Sequence, residues 1–232
     1  MDVRLKRGLL QLGVVFIIAA LIFYILFDEL KVPKINVADL RKFIRRKSLW
    51  TMSIIWIFAA STSLGIYAVI PLYLTKELHL EMGCTNTIFA ISRLGGFVVA
   101  ISSGFLVSRF SIQKIMASIL AISGVFTIFV ALAGVRFIGI ALFLQATFIY
   151  GFFPAGLIAL SRMFEMNVRS IATGFVFGFG VIVGWGITPY LLGLSGDLVS
   201  FKFGILMLGI GTVMASGLVF LLKELNPTTT KE

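Results

Sequence analysis

The stretch TIFAISRLGGFVVAISSGFLVSRFSIQKIMASILAISGVFTIFVALA, residues 87–133, decides the fold. It contains two apolar runs, Thr87–Val107 and Ile115–Ala133, joined by a short turn. Each run is about as long as the roughly 20 apolar residues that a helix needs to cross a bilayer. The turn carries Arg109 and Lys114, and such residues favour the membrane surface over its interior. The stretch therefore predicts a transmembrane helical hairpin.

Runs of the same kind recur along the whole chain, and we label them α1 to α7. They are Leu9–Phe27, Leu49–Leu74, Thr87–Val107, Ile115–Ala133, Phe137–Ser161, Ile171–Leu192 and Phe203–Leu222. Charged residues make up only 13% of the chain, against about 25% in soluble domains. The mean hydropathy is +1.06. The sequence predicts an all-α integral membrane protein with seven transmembrane helices, which leaves little chain for a soluble domain.

The net charge of +10 is concentrated in the long loop between α1 and α2. Its basic residues are Lys31, Lys34, Arg41, Lys42, Arg45, Arg46 and Lys47. We interpret this loop first as a cytoplasmic anchor, because basic residues accumulate in cytoplasmic loops. Contact with anionic lipid headgroups is its second interpretation, and no nucleic acid partner is expected.

The loops on the side of this anchor carry about twice as many basic residues as the loops on the other side. We therefore expect a multi-pass protein of the plasma or inner membrane with a cytoplasmic C-terminus and an outside N-terminus. The basic residues Arg4, Lys6 and Arg7 before α1 favour the opposite orientation of that helix. Its apolar run is longer than a signal-peptide core and lacks a small-residue cleavage site, so α1 is expected to be retained.

Four segments are predicted from these patterns. A single helix occupies residues 1–27, a basic cytoplasmic linker 28–48, a six-helix bundle 49–225 and a short cytoplasmic tail 226–232. Within the linker, Val37–Ile44 is mildly amphipathic, which predicts a short helix at the membrane interface.

No catalytic or cofactor motif stands out, so neither an enzyme nor a cofactor is predicted. His79 is the single histidine and falls in the loop between α2 and α3, where a solvated residue is expected. The single cysteine, Cys84, allows no intrachain disulfide. No Asp or Glu falls inside any predicted span, which argues against intramembrane hydrolases and metalloenzymes.

Arg93 is the one charged residue inside a predicted span. It lies six residues into α3, about 9 Å below the outer end at 1.5 Å per residue. A charge at that depth costs a few kcal/mol and indicates a functional site. Small residues, Gly96 and Ala100 among them, share its helical face and predict that this face packs against protein. Arg93 therefore either contacts an anionic solute inside the bundle or extends to the outer headgroups.

Other polar and small residues complete the candidate site. The cavity candidates beside Arg93 are Trp56, Ser63 and Tyr67 on α2 and Gln145 and Tyr150 on α5. For each of these residues alone, hydrogen bonding between helices is the more common role. The candidates for helix packing and gating are Gly96, Ala100, Arg169, Gly174, Gly178, Gly180, Gly184 and Pro189. Glycines at this density permit close helix crossings.

Two stretches contain motifs of a known kind. Gly104, Leu106 and Arg109 in the segment Gly104–Lys114 match a G-x-L-x-D-R-x-G-R-R pattern, and the segment thereby resembles the cytoplasmic loop of the major facilitator superfamily. The segment departs from this pattern at Ser108 and Ser111, where the family has Asp and Gly. The second stretch resembles the family's eleventh helix at Arg169, Ala172, Gly174, Gly184, Pro189, Gly193, Gly196 and Asp197.

This resemblance implies a particular architecture. Helices α2 to α7 would form the C-terminal half of such a transporter, built from two inverted three-helix repeats, with α1 as the preceding sixth helix. The resemblance also implies alternating access with an N-terminal half or a second copy, and a small solute in the cavity between the halves. The alternative interpretation is a seven-helix membrane receptor or another membrane partner protein that transports nothing.

Overall fold

The computed structural model describes residues 17–18, 21–22 and 43–225, except the side chain of residue 167. The chain divides into two compact units, residues 1–35 and 36–232. In the first unit, Ile17, Ile18, Leu21 and Ile22 are helical and exposed. The rest of α1, most of the basic linker with its predicted interfacial helix, and the tail at 226–232 lie outside the described residues.

Six helices of the second unit are long and apolar enough to cross a membrane. They correspond to α2 to α7 and span Lys47–Ala68, Met82–Arg109, Ile112–Leu132, Ile138–Met163, Val168–Leu198 and Phe201–Leu221. No strand occurs among the described residues. The prediction of an all-helical membrane fold is therefore confirmed, with six spans of the predicted seven in the described part of the chain.

The helix α6 extends farther than its apolar run predicted. It continues past Leu192 to Leu198, so its last turn includes the exposed Asp197. A Cβ atom on Gly196 would lie 2.5 Å from the Phe201 ring, so the glycine allows this last turn to pack on the start of α7. The carboxylate of Asp197 therefore belongs to the helix α6 but lies beyond the predicted apolar run. Small and polar residues at the membrane edge extend a helix without extending its apolar run.

Helices α2 and α6 are both interrupted by π-helical turns, at Ser61–Gly65 and Ile182–Ile187. π-helical turns are rare and are found frequently at functional sites. The two interruptions pack against each other, and a Cβ atom on Gly184 would lie 2.5 Å from the Cβ of Ala60. The hydroxyls of Ser61 and Thr188 are 2.8 Å apart and buried at the same place. Close backbone approach and a buried hydrogen bond therefore join α2 to α6.

Helices α4 and α7 also approach each other through glycines. A Cβ atom on Gly124 would lie 2.8 Å from the backbone nitrogen of Val213, and one on Gly209 would lie 2.8 Å from that of Ile128. Gln113 near the start of α4 donates from Nε2 to the carbonyl oxygen of Leu222 at 2.6 Å. These contacts pair α4 with α7 along their lengths.

The carboxylate of Glu77 caps α7 from the end of the α2 segment. Its Oε2 accepts a hydrogen bond from the backbone N–H of Phe201 at 2.8 Å. An acidic group at a helix N-terminus satisfies an unpaired N–H and interacts favourably with the helix dipole.

We expect Glu77→Ala to lower the free energy of unfolding by about 1 kcal/mol, measured by thermal or denaturant unfolding in detergent. The exposed Glu81 lies directly before α3, and its side chain makes no capping hydrogen bond, so Glu81→Ala controls for the loss of a charge at a helix N-terminus. An equal loss in both variants would contradict the capping role.

Candidate functional site

A cavity of about 350 Å³ lies between α3 and α5. Its lining consists of Arg93, Gly96, Phe97, Ala100 and Tyr150. Two of the predicted cavity residues, Arg93 and Tyr150, and two of the predicted packing residues, Gly96 and Ala100, thus line one space. We call this space the Arg93 cavity.

Arg93 lies deeper in its helix than its sequence position indicated. Helix α3 begins at Met82 rather than Thr87, because the small and polar residues before the apolar run are already helical. Arg93 is therefore about 16 Å from the start of the span at 1.5 Å per residue, rather than about 9 Å. It also lies at an interruption, since Met82–Ser92 ends there and Gly95–Arg109 begins two residues later. A charge near the middle of a span needs stabilising contacts from the protein.

Aromatic side chains from three helices surround the Arg93 guanidinium. Nη1 donates to the Tyr150 hydroxyl at 3.1 Å, while the guanidinium carbon lies 4.4 Å from the Tyr67 ring centroid and 4.9 Å from that of Phe89. Cation–π contacts of this length are worth about 0.5–2 kcal/mol each, more where water is excluded. Tyr67 is held in place by its hydroxyl, which donates to the Leu142 carbonyl oxygen at 3.1 Å. The charge thus lies between aromatic rings of α2, α3 and α5.

The guanidinium keeps unused hydrogen-bonding capacity. Its Nε is buried without a partner, and Arg93 makes no ion pair with any carboxylate in the described part of the chain. A buried, unpaired donor on a charged group is costly. A guanidinium has five N–H donors, and those that are not buried can donate charge-assisted hydrogen bonds to an anionic group.

Glycine at position 96 allows Tyr150 to approach α3. A Cβ atom there would lie 2.6 Å from Cδ2 of the Tyr150 ring, so a larger residue would displace the ring. The neighbouring small residue, Ala100, lines the cavity one turn farther along. Gly104 continues the same face, but a Cβ atom on it would meet no other atom within 4 Å, so close packing ends before it.

The other predicted cavity residues lie in the buried core and do not line the Arg93 cavity. Trp56 packs edge-on against Phe152, Phe153 and Phe177. Ser63 donates to the Ala60 carbonyl oxygen at 3.0 Å. Gln145 donates from Nε2 to the Thr62 carbonyl oxygen at 2.7 Å, which joins α5 to α2. Their role in a substrate path stays a prediction.

Of the four α6 glycines predicted to pack, two make close contacts and two do not. A Cβ atom on Gly180 would lie 3.2 Å from the Trp56 side chain, and Gly184 contacts the α2 backbone as described above. Nothing lies within 4 Å of a Cβ position on Gly174 or Gly178. Pro189 lies in the first turn of the segment Thr188–Leu198, directly after the π-helical turns. The close crossing of α6 on α2 thus depends on specific glycines rather than on glycine content.

The family-like loop residues lie at the end of the bundle that is predicted to face the cytoplasm. Arg109 and Arg169 line a second cavity there, of about 670 Å³, together with Arg162. Lys114 is exposed outside its lining, and Leu106 accepts a backbone hydrogen bond from Phe110 at 2.9 Å.

Sequence reasoning did not select Phe89, Phe97 or Arg162. Phe89 lies four residues before Arg93, and this spacing places two residues on one helix face. Phe97 follows Arg93 by the same spacing and is 74% exposed in the cavity lining. No group of three or more His, Cys, Asp or Glu residues that could hold a metal occurs within the described residues.

Comparison with solved structures places this geometry in a known fold. The chain matches a crystal structure of the E. coli fucose:proton symporter FucP with a TM-score of 0.71 at 17% identity, covering 81% of this chain and 46% of that one. It matches FucP in the outward conformation with a TM-score of 0.72 at 18% identity, covering 90% of this chain and 52% of that one. The chain thus spans about half the length of these transporters. No protein-family model and no curated protein sequence matches it. The chain has the fold of one half of a major facilitator superfamily transporter.

Proposed function

We propose that the chain is the C-terminal half of a secondary transporter that moves a small solute across the membrane. It would work by alternating access with an N-terminal half or a second copy of itself. The observation that carries this proposal is the fold match, which covers most of this chain but only about half of each symporter. In such transporters the solute path runs between two halves that move against each other.

The burial of the helices supports a missing partner half. In an 18-residue apolar window of each helix, the buried share is 22% in α3 and in α6 and 28% in α7, against 67% in α2. Phe97, Val98 and Ile101 on α3 are 67–78% exposed, and Phe97 also lines the Arg93 cavity. A second half packed against α3 would cover this face and close the cavity. The cavity would then lie between the two halves.

The solute proposed for this cavity carries a carboxylate or phosphate. The structural neighbours are fucose:proton symporters, and fucose is uncharged. Here the cavity contains a guanidinium with unused donors and no carboxylate partner in the described residues. Arginine recognises carboxylates and phosphates with paired, charge-assisted hydrogen bonds. We therefore assign the anion of the solute to Arg93, with the Tyr150 hydroxyl beside it.

An uptake experiment tests the proposal. The chain would be expressed in membranes alone and together with any transmembrane helices that the adjoining upstream sequence encodes. Uptake of labelled D-galacturonate, lactate and phosphate would be compared with that of L-fucose as the neutral control. We expect uptake of at least one of the anions and binding of that anion by the purified protein. Uptake by the chain alone would indicate a second copy as the partner, and uptake only with the added helices would indicate an N-terminal half.

The same experiment separates transport from the receptor alternative. A receptor or other partner protein would bind a solute without accumulating it in vesicles. The absence of both uptake and binding for every solute, with both parts present in the membrane, would contradict the transporter proposal.

A further inference from the structure

Three arginines meet at one end of the bundle, around the second cavity of about 670 Å³. Arg109 ends the α3 span, Arg162 lies one residue before the end of α5, and Arg169 lies one residue after the start of the α6 span. Phe110, Ser111 and Glu224 also line the cavity. We call it the arginine pocket. It is separate from the Arg93 cavity and shares no lining residue with it.

Among the described residues, the positive charge of the arginine pocket is only partly compensated. One carboxylate, Glu224, stands against the three guanidinium groups, and no ion pair joins it to any of them. The nearby Glu165 is instead 3.9 Å from Arg46. Three guanidinium groups sharing one space repel each other unless an anion lies among them.

The guanidinium groups also have free donors. Arg169 uses only Nε, which donates to the Phe164 carbonyl oxygen at 3.3 Å. Arg109 makes a cation–π contact with Phe105 at 4.9 Å, and Arg162 makes no hydrogen bond or ion pair with the described residues. Most guanidinium N–H groups around the pocket are therefore available to an external acceptor. A phosphate offers several oxygens to such donors.

We propose that the arginine pocket binds the phosphate of an anionic phospholipid headgroup. All three arginines lie at the ends of membrane spans, which is the depth at which lipid phosphates are found. Phe110 in the lining is 61% exposed, so apolar surface borders the pocket. A lipid satisfies both parts, with its phosphate on the arginines and an acyl chain on Phe110. Basic pockets between helix ends bind anionic lipid headgroups by this chemistry.

The proposal does not depend on transport, and its test uses the purified chain in an uncharged detergent. Binding of dioleoyl phosphatidylglycerol would be titrated by native mass spectrometry against dioleoyl phosphatidylcholine, which has the same acyl chains. We expect phosphatidylglycerol to bind at least about tenfold more tightly than phosphatidylcholine. The choline group of phosphatidylcholine carries a positive charge, which cancels the charge of the phosphate and is repelled by the arginines. Arg109→Ala and Arg162→Gln are each expected to weaken phosphatidylglycerol binding about tenfold.

The control is Arg136→Ala, which removes an exposed arginine from the turn between α4 and α5 and should leave binding unchanged. Arg162→Gln keeps most of the length of a side chain that makes no described hydrogen bond or ion pair, so it tests the site even if Arg109→Ala fails to fold. Equal affinity for the two lipids, or unchanged affinity in both pocket variants, would overturn the proposal. Inorganic phosphate that binds as tightly as phosphatidylglycerol would overturn the assignment to a lipid and indicate a soluble anion.

Discussion

Arg93→Ala is expected to reduce anion binding to the purified protein about 10- to 100-fold and to abolish uptake in membranes. The guanidinium supplies the positive charge of the Arg93 cavity, and hydrogen bonds to charged groups are worth about 1.5–3 kcal/mol. Each 1.4 kcal/mol corresponds to a factor of ten in affinity. Binding would be measured by thermal stabilisation of the purified chain with the anion found in the uptake assay.

Two further variants separate charge from shape in the Arg93 cavity. Arg93→Lys keeps the charge but loses the planar fork, so we expect it to recover part of the anion affinity. Tyr150→Phe removes only the hydroxyl that accepts from Nη1, and we expect a smaller loss than for Arg93→Ala. Arg136→Ala serves as the control for a lost surface charge. If Arg93→Ala bound and transported the anion like the unchanged protein, Arg93 would be a structural residue and not a solute contact.

The helical spans were predictable because one physical requirement determines them. Each run of about 20 apolar residues became a membrane-length helix in the described part of the chain, as the hydrocarbon thickness requires. The helix ends were harder to predict. Helix α3 begins at Met82 and helix α6 ends at Leu198, and at these ends both helices include small and polar residues that hydropathy assigns to loops. Backbone hydrogen bonding, rather than apolar character, determines where a helix ends at the membrane edge.

The interruptions of the helices were less predictable. Proline is a common cause of helix kinks, whereas the distortion in α6 occupies Ile182–Ile187, just before Pro189. The sequence of α2 offers no proline at Ser61–Gly65, yet the same distortion occurs there. Both interruptions lie where the two helices contact each other, so they depend on tertiary packing. A pattern within one helix does not contain that information.

For the candidate site, the sequence identified unusual residues but not their partners. A single intramembrane arginine is conspicuous because of its cost, and Tyr150 is a polar aromatic residue in an apolar helix. Trp56 and Gln145 are equally conspicuous, but the structure places them in the core. The rotation of α2 and α5 about their axes determines which of these residues lie at the Arg93 cavity and which lie in the core. Side-chain polarity alone does not specify that rotation. Contact with a solute therefore has to be tested residue by residue.

The crossing of α2 and α6 gives the largest expected effect on stability. A Cβ atom on Gly65 would collide with the Gly184 carbonyl oxygen, and one on Gly184 would lie 2.8 Å from the backbone nitrogen of Ser61. In both cases the obstacle is backbone, which moves only if the helices separate. We therefore expect Gly65→Ala and Gly184→Ala each to lower the free energy of unfolding by about 3 kcal/mol, the upper part of the range for overpacked sites.

Unfolding of the purified protein in mixed micelles with increasing dodecyl sulfate measures this effect, with helical circular dichroism as the signal. The matched control is Gly178→Ala, in the same helix but with nothing within 4 Å of the added methyl group. Alanine favours a helix over glycine by up to about 1 kcal/mol, so this control should be neutral or stabilising. Equal stability of Gly184→Ala and Gly178→Ala would show that α2 and α6 leave room for a methyl group at position 184, which contradicts the close contact described here. A loss confined to Gly65→Ala and Gly184→Ala would establish that the two π-helical turns are held together by backbone contact.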